Sequence, residues 1–145
     1  MYIAGFWDAD GSFSVSPNTH HRPYGARTYQ SFQRSVHASN THYGVLAWIM
    51  EQFGVGSITQ VRVAHDNLRT AWKLHFSAND SRDVARLLAP YLIIKKQQAE
   101  IIAAWPNKKA GGHSRDEETH RLQAGLYEQV KHLNRKGPRA DHLPG

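Results

Sequence analysis

The chain has 145 residues, 40% of them hydrophobic, which is enough for one domain around one core and no more. It contains no cysteine, which excludes a disulfide framework and a thiolate metal site and fits an intracellular setting; no apolar run approaches the ~20 residues that a membrane span needs. The net charge of +6 points to a polyanionic partner, nucleic acid foremost.

Residues 1–8 read as a short helix ended by Asp8-Ala9-Asp10-Gly11. The acidic residues stand where a signal peptide would continue its apolar stretch, so none is expected. They also pose a question. A helix C-terminus carries partial negative charge, so a carboxylate there costs ~0.3–1 kcal/mol. Ser12-Phe13-Ser14-Val15-Ser16 then alternates strictly, which predicts a half-buried strand with Phe13 and Val15 inward. Pro17 to Gly25 reads as a polar loop, and Tyr29 to Ser39 as a second strand with Phe32 and Val36 inward. Arg34 shares their parity, which suggests a bulge or register shift.

Asn40 or Thr41 can cap a helix that runs to Phe53, where Gly54 stops it. Ser57–Val63 and Arg69–Ser77 make a third and a fourth strand around the turn His65-Asp66-Asn67. Asn79 or Asp80 caps another helix, with Val84, Leu87 and Leu88 inward, which Pro90 breaks. A helix from about Lys95 to Trp105 ends at Pro106, and Asn107–His113 is a linker. Ser114-Arg115-Asp116-Glu117 fits a capping box ahead of a last helix with Leu122, Leu126, Val130 and Leu133 on one face. The fold class this order predicts is α+β, a four-stranded antiparallel sheet with helices on one face. One domain over 1–137 is expected, with a flexible tail at 138–145.

The opposite face of such a sheet is left to solvent or a ligand. Its side chains would be Ser14, Ser16, Asn18, Tyr29, Ser31, Gln33, Ser35 and His37 from the first hairpin, with His20 and Arg22 from its connection. The second hairpin adds Thr59, Arg69, Lys73 and His75, with Gln60 and Arg62 open in parity. Hydroxyls, amides and cations of this kind suit base edges and phosphates of double-stranded DNA. His20, His21, His37, His42, His65 and His75 show neither HxxxH nor HExxH spacing, so they read as polar surface rather than a metal site.

YIAGFWDADG resembles the LAGLIDADG motif of homing endonucleases, keeping Ala4-Gly5 and the whole of Asp8-Ala9-Asp10-Gly11. Phe53-Gly54-Val55-Gly56 resembles that family's turn after its second core helix, and the segment from Pro90 to Ala99 resembles the one that carries an active-site lysine. The resemblance spans roughly residues 1–105 and implies an αββαββα fold with a saddle-shaped sheet. It implies Asp10 as a catalytic metal ligand with the Ala9 carbonyl as a second donor, and Lys95, or the adjacent Lys96, near the attacking water. Asp8 would cap or brace the helix end. Gly5, Asp8 and Ala9 would lie at the dimer interface, since members with one motif act as homodimers.

The cofactor implied is Mg²⁺, with Mn²⁺ or Ca²⁺ as substitutes. The activity implied is intron-homing double-strand cleavage of a long pseudo-palindromic DNA site. A non-catalytic module of the same fold, an RNA maturase or a transcription regulator, is the alternative. One departure stands out: Ala38 occupies the place where relatives carry a water-positioning Gln, leaving that role to the polar neighbours His37, Ser39 and Asn40. A second is His42 near the place of a helpful Arg.

Overall fold

The computed structural model describes residues 2–20, 29–63, 68–106 and 117–135, with backbone alone for 19, 20, 29, 30 and 117. Arg22, the turn at 65–67, the linker at 107–113, the capping box opened by Ser114 and the tail at 138–145 lie outside the described residues. So do the side chains of His20 and Tyr29.

Helix α1 (Tyr2–Asp10) runs two residues past its expected end and passes directly into strand β1 (Gly11–His20). Ala4 and Trp7 are its buried residues, with Ile3 and Phe6 packed against the core. Gly11 makes the sharp passage possible, because a Cβ there would collide with the indole ring of Trp7. β1 also outruns its expected length, through Pro17, which pairs with Phe32 of β2 (Tyr29–Asn40). Proline lacks an amide donor and so survives in a strand at a sheet edge. The strand order β1-β2-β4-β3 puts β1 at such an edge.

β1 and β2 pair antiparallel in unbroken register from Gly11↔Ala38 to His20↔Tyr29. No bulge moves Arg34. It sits opposite Val15 on the inner face and is only 9% exposed, with its Nη1 unpartnered. Burial, followed by the nearby Arg82 charge, lowers the pKa of its guanidinium.

Helix α2 (Tyr43–Phe53) is capped by neither Asn40 nor Thr41 but by His42, whose Nδ1 accepts from Val45 N at 3.0 Å. Gly54 closes the helix in the left-handed region at φ 72°. Strands β3 (Ser57–Arg62) and β4 (Ala71–His75) pair antiparallel, and β4 in turn pairs with residues 37–40 of β2. Helix α3 (Ala78–Leu88) is capped by Ser77, which accepts from Asp80 N, rather than by Asn79 or Asp80. Val84 and Leu88 point inward as expected, but Leu87 is 61% exposed. Ser81 of α3 accepts from Val36 N and so occupies the edge of β2 that β4 does not reach.

A 3₁₀ turn over Ala89–Tyr91 contains Pro90 and leads to α4 (Lys96–Ala103) and α5 (Glu117–Arg135). Val130 of α5 is buried and Leu126 packs against the core, whereas Leu122 is exposed. Polar contacts tie α5 down as well: Asn134 donates to Phe13 O at 3.0 Å, and Gln123 to Pro106 O at 2.7 Å. The architecture is four antiparallel strands with the helices on one face, α+β as expected. Trp7, Phe53 and Phe76 cluster at its centre with ring centroids 5.8–6.5 Å apart. Burying side chains of this size contributes about 1.5–3 kcal/mol each.

Candidate active site and nucleic-acid interface

The strand register assembles the open face residue by residue. Ser12 stands opposite His37, Ser14 opposite Ser35, Ser16 opposite Gln33 and Asn18 opposite Ser31. His37 also stands opposite His75, Ser39 and Thr59 flank Lys73, and Ser57 flanks His75. The alternation that suggested this face holds along β1, β2 and β4 and is broken in β3. The open parity in β3 is resolved by a register shift between Gln60 and Arg62. Gln60 pairs with Trp72 on the helix side, and Arg62 returns to the open side opposite Ala71. Both Nε and Nη2 of Arg62 donate to Arg69 O at 3.1 Å, so its guanidinium is held at the start of β4. Arg69 itself is exposed just ahead of that strand. Among the described residues on this face none is a carboxylate, and the cations Arg62 and Lys73 are left to set its sign.

His37 lies near the middle of this face and accepts from, or donates to, Ser35 Oγ at 3.3 Å. Burial first, then the charges of Lys73, His75 and Lys95, lower its pKa. These surroundings favour the neutral ring in the free protein.

The α1–β1 junction gathers the other candidates. Asp8 turns its carboxylate to its own chain. It accepts from Ile93 N at 2.8 Å, Ile94 N at 3.1 Å and Lys95 N at 3.0 Å. Three backbone donors that precede α4 are satisfied at once, so Asp8 braces the entry to α4 rather than the end of its own helix. Lys95 sends its side chain the other way: Nζ donates to Trp7 O at 3.2 Å and to Gly11 O. Its ammonium thus sits on a last-turn carbonyl of α1 and offsets the negative helix end. Partial burial lowers the Lys95 pKa, against the opposing pull of Asp8 and Asp10. Lys96 is the first residue of α4 and is exposed, with no such contacts shown.

Asp10 is exposed at the end of α1, and its Oδ2 accepts from Asn40 Nδ2 at 3.2 Å. Ala9 and Gly5 are exposed on the same helix, and nothing lies within 4 Å of a Cβ built on Gly5. Gly5, Ala9 and Asp10 therefore present an open stripe, while Asp8 points inward. Ala38 is fully buried on the helix side, so it takes no part in the site. His42 spends its Nδ1 lone pair on the cap of α2. Among the described residues no group of three His, Asp or Glu side chains converges as a metal site within one chain. The role of Asn40 was the least legible in advance. The sequence offers Asn40 as a cap of α2 and as a polar neighbour of Ala38, and neither reading points to a contact with Asp10 thirty positions away.

Comparison with solved structures finds the same fold in homing endonucleases. An archaeal intron-encoded homing endonuclease, I-Vdi141I, complexed with DNA, is 23% identical with a TM-score of 0.72, covering 96% of this chain and 86% of that one. The homing endonuclease I-CvuI, in complex with the I-CreI target in the presence of Mg, is 22% identical with a TM-score of 0.66, covering 96% and 83%. I-SmaMI, bound to uncleaved DNA with calcium ions, is 17% identical with a TM-score of 0.54; 96% of this chain matches only 45% of that one. No curated protein sequence matches. The family model described as LAGLIDADG endonuclease matches residues 3–104, so the chain belongs to the LAGLIDADG endonuclease family.

Proposed function

We propose that this chain is a site-specific DNA endonuclease that hydrolyses phosphodiester bonds as a homodimer, with Asp10 as its metal ligand. The observation that carries the reading is the arrangement at the α1–β1 junction. Asp10 is exposed and acidic, Asp8 is withdrawn into the chain, and Lys95 is held between two carbonyls of the same junction. The polar open face of the sheet lies beside it, where DNA would bind.

Asp10 and the Ala9 carbonyl offer oxygen donors only, which suits Mg²⁺, Mn²⁺ or Ca²⁺ rather than a soft metal. One such pair is half a site, which fits the lack of a metal cluster among the described residues of one chain. A second copy would bring a second Asp10. A bound divalent cation beside the scissile phosphate would lower the pKa of a water and neutralise charge on the leaving oxygen.

The residues of this chain do the rest. Lys95 holds a positive charge beside the end of α1, where it can steady a phosphate oxygen. Lys73 and Arg62 of the open face, with Arg69 ahead of β4, attract the backbone, and the serines, Asn18 and Gln33 offer donors and acceptors to base edges.

Dimer formation is supported by the surface around α1. Tyr2, Trp48, Ile93 and Ile94 are exposed large hydrophobics, with Ile93 at 87%, and Gly5 and Ala9 leave room for close helix approach. Two-fold symmetry makes the target palindromic or pseudo-palindromic. Cleavage across the minor groove leaving short 3′ overhangs is the expected product.

The test is to incubate the protein with a randomised palindromic DNA library and Mg²⁺ and to sequence the cut ends. Symmetric sites with 3′ overhangs would support the reading. DNA that is enriched but uncut would replace it with a binding module on this fold.

A further inference from the structure

We propose that Asn40 is a positioning residue that orients the Asp10 carboxylate toward the divalent cation, an inference that rests on the endonuclease reading. Oxygen and nitrogen of an Asn side chain are told apart by their partners. Asn40 Oδ1 accepts from the backbone N–H of His42 at 2.8 Å, and that partner can only donate. The amide is therefore fixed in orientation, and its Nδ2 faces Asp10 Oδ2 at 3.2 Å.

The two ends of this contact are tied to separate rigid elements. Asp10 is the last residue of α1, and Asn40 the last residue of β2. The register Gly11↔Ala38 joins those elements one residue beyond Asp10 and two before Asn40. Without the amide, Asp10 at an exposed helix end has free rotation about its side-chain bonds. With it, one carboxylate oxygen is held. A neutral amide does this without neutralising the charge the cation needs, whereas a Lys or Arg there would compete with the metal. Groups that hydrogen-bond a metal's carboxylate ligand orient it, and their loss costs roughly 10–100-fold in metal affinity. Ala38, buried on the helix side, supplies no amide to this site, which leaves Asn40 as the described side chain that bonds Asp10.

The contact with His42 N gives Asn40 a rival, purely structural role at the entry to α2. Two variants separate the roles. Asn40→Ala loses both contacts. Asn40→Ser keeps a hydroxyl that can accept from a backbone N–H two residues on, but it is too short to reach Asp10. Tb³⁺, a hard luminescent substitute sensitised by the tryptophans, is titrated into protein bound to the DNA pool cut in the library experiment. Melting temperature and DNA affinity are measured beside it.

The inference predicts that both variants need about tenfold more Tb³⁺ for half-saturation, with DNA affinity unchanged, and that Asn40→Ser regains melting temperature lost in Asn40→Ala. If Asn40→Ala melts lower but takes up Tb³⁺ like the wild type, or if Asn40→Ser restores both properties, Asn40 only orders the entry to α2 and the inference fails alone. If the wild-type complex itself takes up no Tb³⁺, the metal-dependent endonuclease reading fails, and the inference with it.

Discussion

Asp8 and Lys95 hold each other in place: the Lys95 backbone N–H donates to Asp8 Oδ1 at 3.0 Å, while the Lys95 side chain reaches back to Trp7 O, one residue before Asp8. The acidic end of α1 is thereby stabilised from outside the helix. A carboxylate that faces the wrong end of its own dipole instead serves three amides that precede α4, and an ammonium covers the helix end. Replacing Asp8 by Ala leaves those amides without their acceptor. We expect a loss of about 1–3 kcal/mol in chemical denaturation, with Asp8→Asn, which keeps one acceptor oxygen, in between.

Lys95→Met removes the ammonium but keeps the length of the stem. Its expected effect is a fall of about 100-fold or more in DNA cleavage with DNA affinity changed only a few-fold, measured by single-turnover cutting beside a binding titration. Lys95→Arg is not expected to rescue it, because a forked guanidinium does not fit between Trp7 O and Gly11 O as a point charge does.

His37 carries a pH dependence whose sign follows from its surroundings. Burial, Lys73, His75 and Lys95 all lower its pKa in the free fold. Its contribution to stability is therefore complete above the unfolded value near 6.5 and is lost as pH falls through the lower folded value. DNA phosphates would reverse the local field and favour the protonated ring. DNA binding should thus tighten as pH drops below about 6.5, and His37→Gln should flatten that dependence in binding titrations between pH 5 and 8.

Gly11→Ala tests the junction itself. The added methyl meets the Trp7 ring, which is fully buried among Phe53 and Phe76 and has no room to retreat. A destabilisation of about 1–3 kcal/mol is expected, read as a lower midpoint in denaturant. Gly5→Ala, with nothing within 4 Å of its Cβ, should raise the stability of the single chain by about 0.5–1 kcal/mol through helix propensity and yet weaken self-association measured by sedimentation.

The sequence reveals the α+β order and the open face because both rest on alternation and turn chemistry, which are local. Ser12 to Ser16 and the odd positions of β2 fall where period-two reading puts them. The caps escaped because Ser77 and His42 compete with equally plausible neighbours, and only the chain's path selects between them. Arg34 misled because a guanidinium at inward parity suggests an error of register, whereas the structure buries it in regular pairing. Asp10 and Lys95 stand out in sequence through the two segments that resemble the family, and the structure places both at the α1–β1 junction. The Asp10–Asn40 contact was not, since no local pattern joins residues so far apart in the chain.

Asp10 is expected to support cation-dependent cutting. The most direct measurement compares wild type and Asp10→Asn on the recovered DNA site across a Mg²⁺ titration, following binding and cleavage in the same samples. Asp10→Asn is expected to bind the site with similar affinity and not to cut it at any Mg²⁺ concentration. Cleavage by Asp10→Asn with an unchanged Mg²⁺ dependence would contradict it.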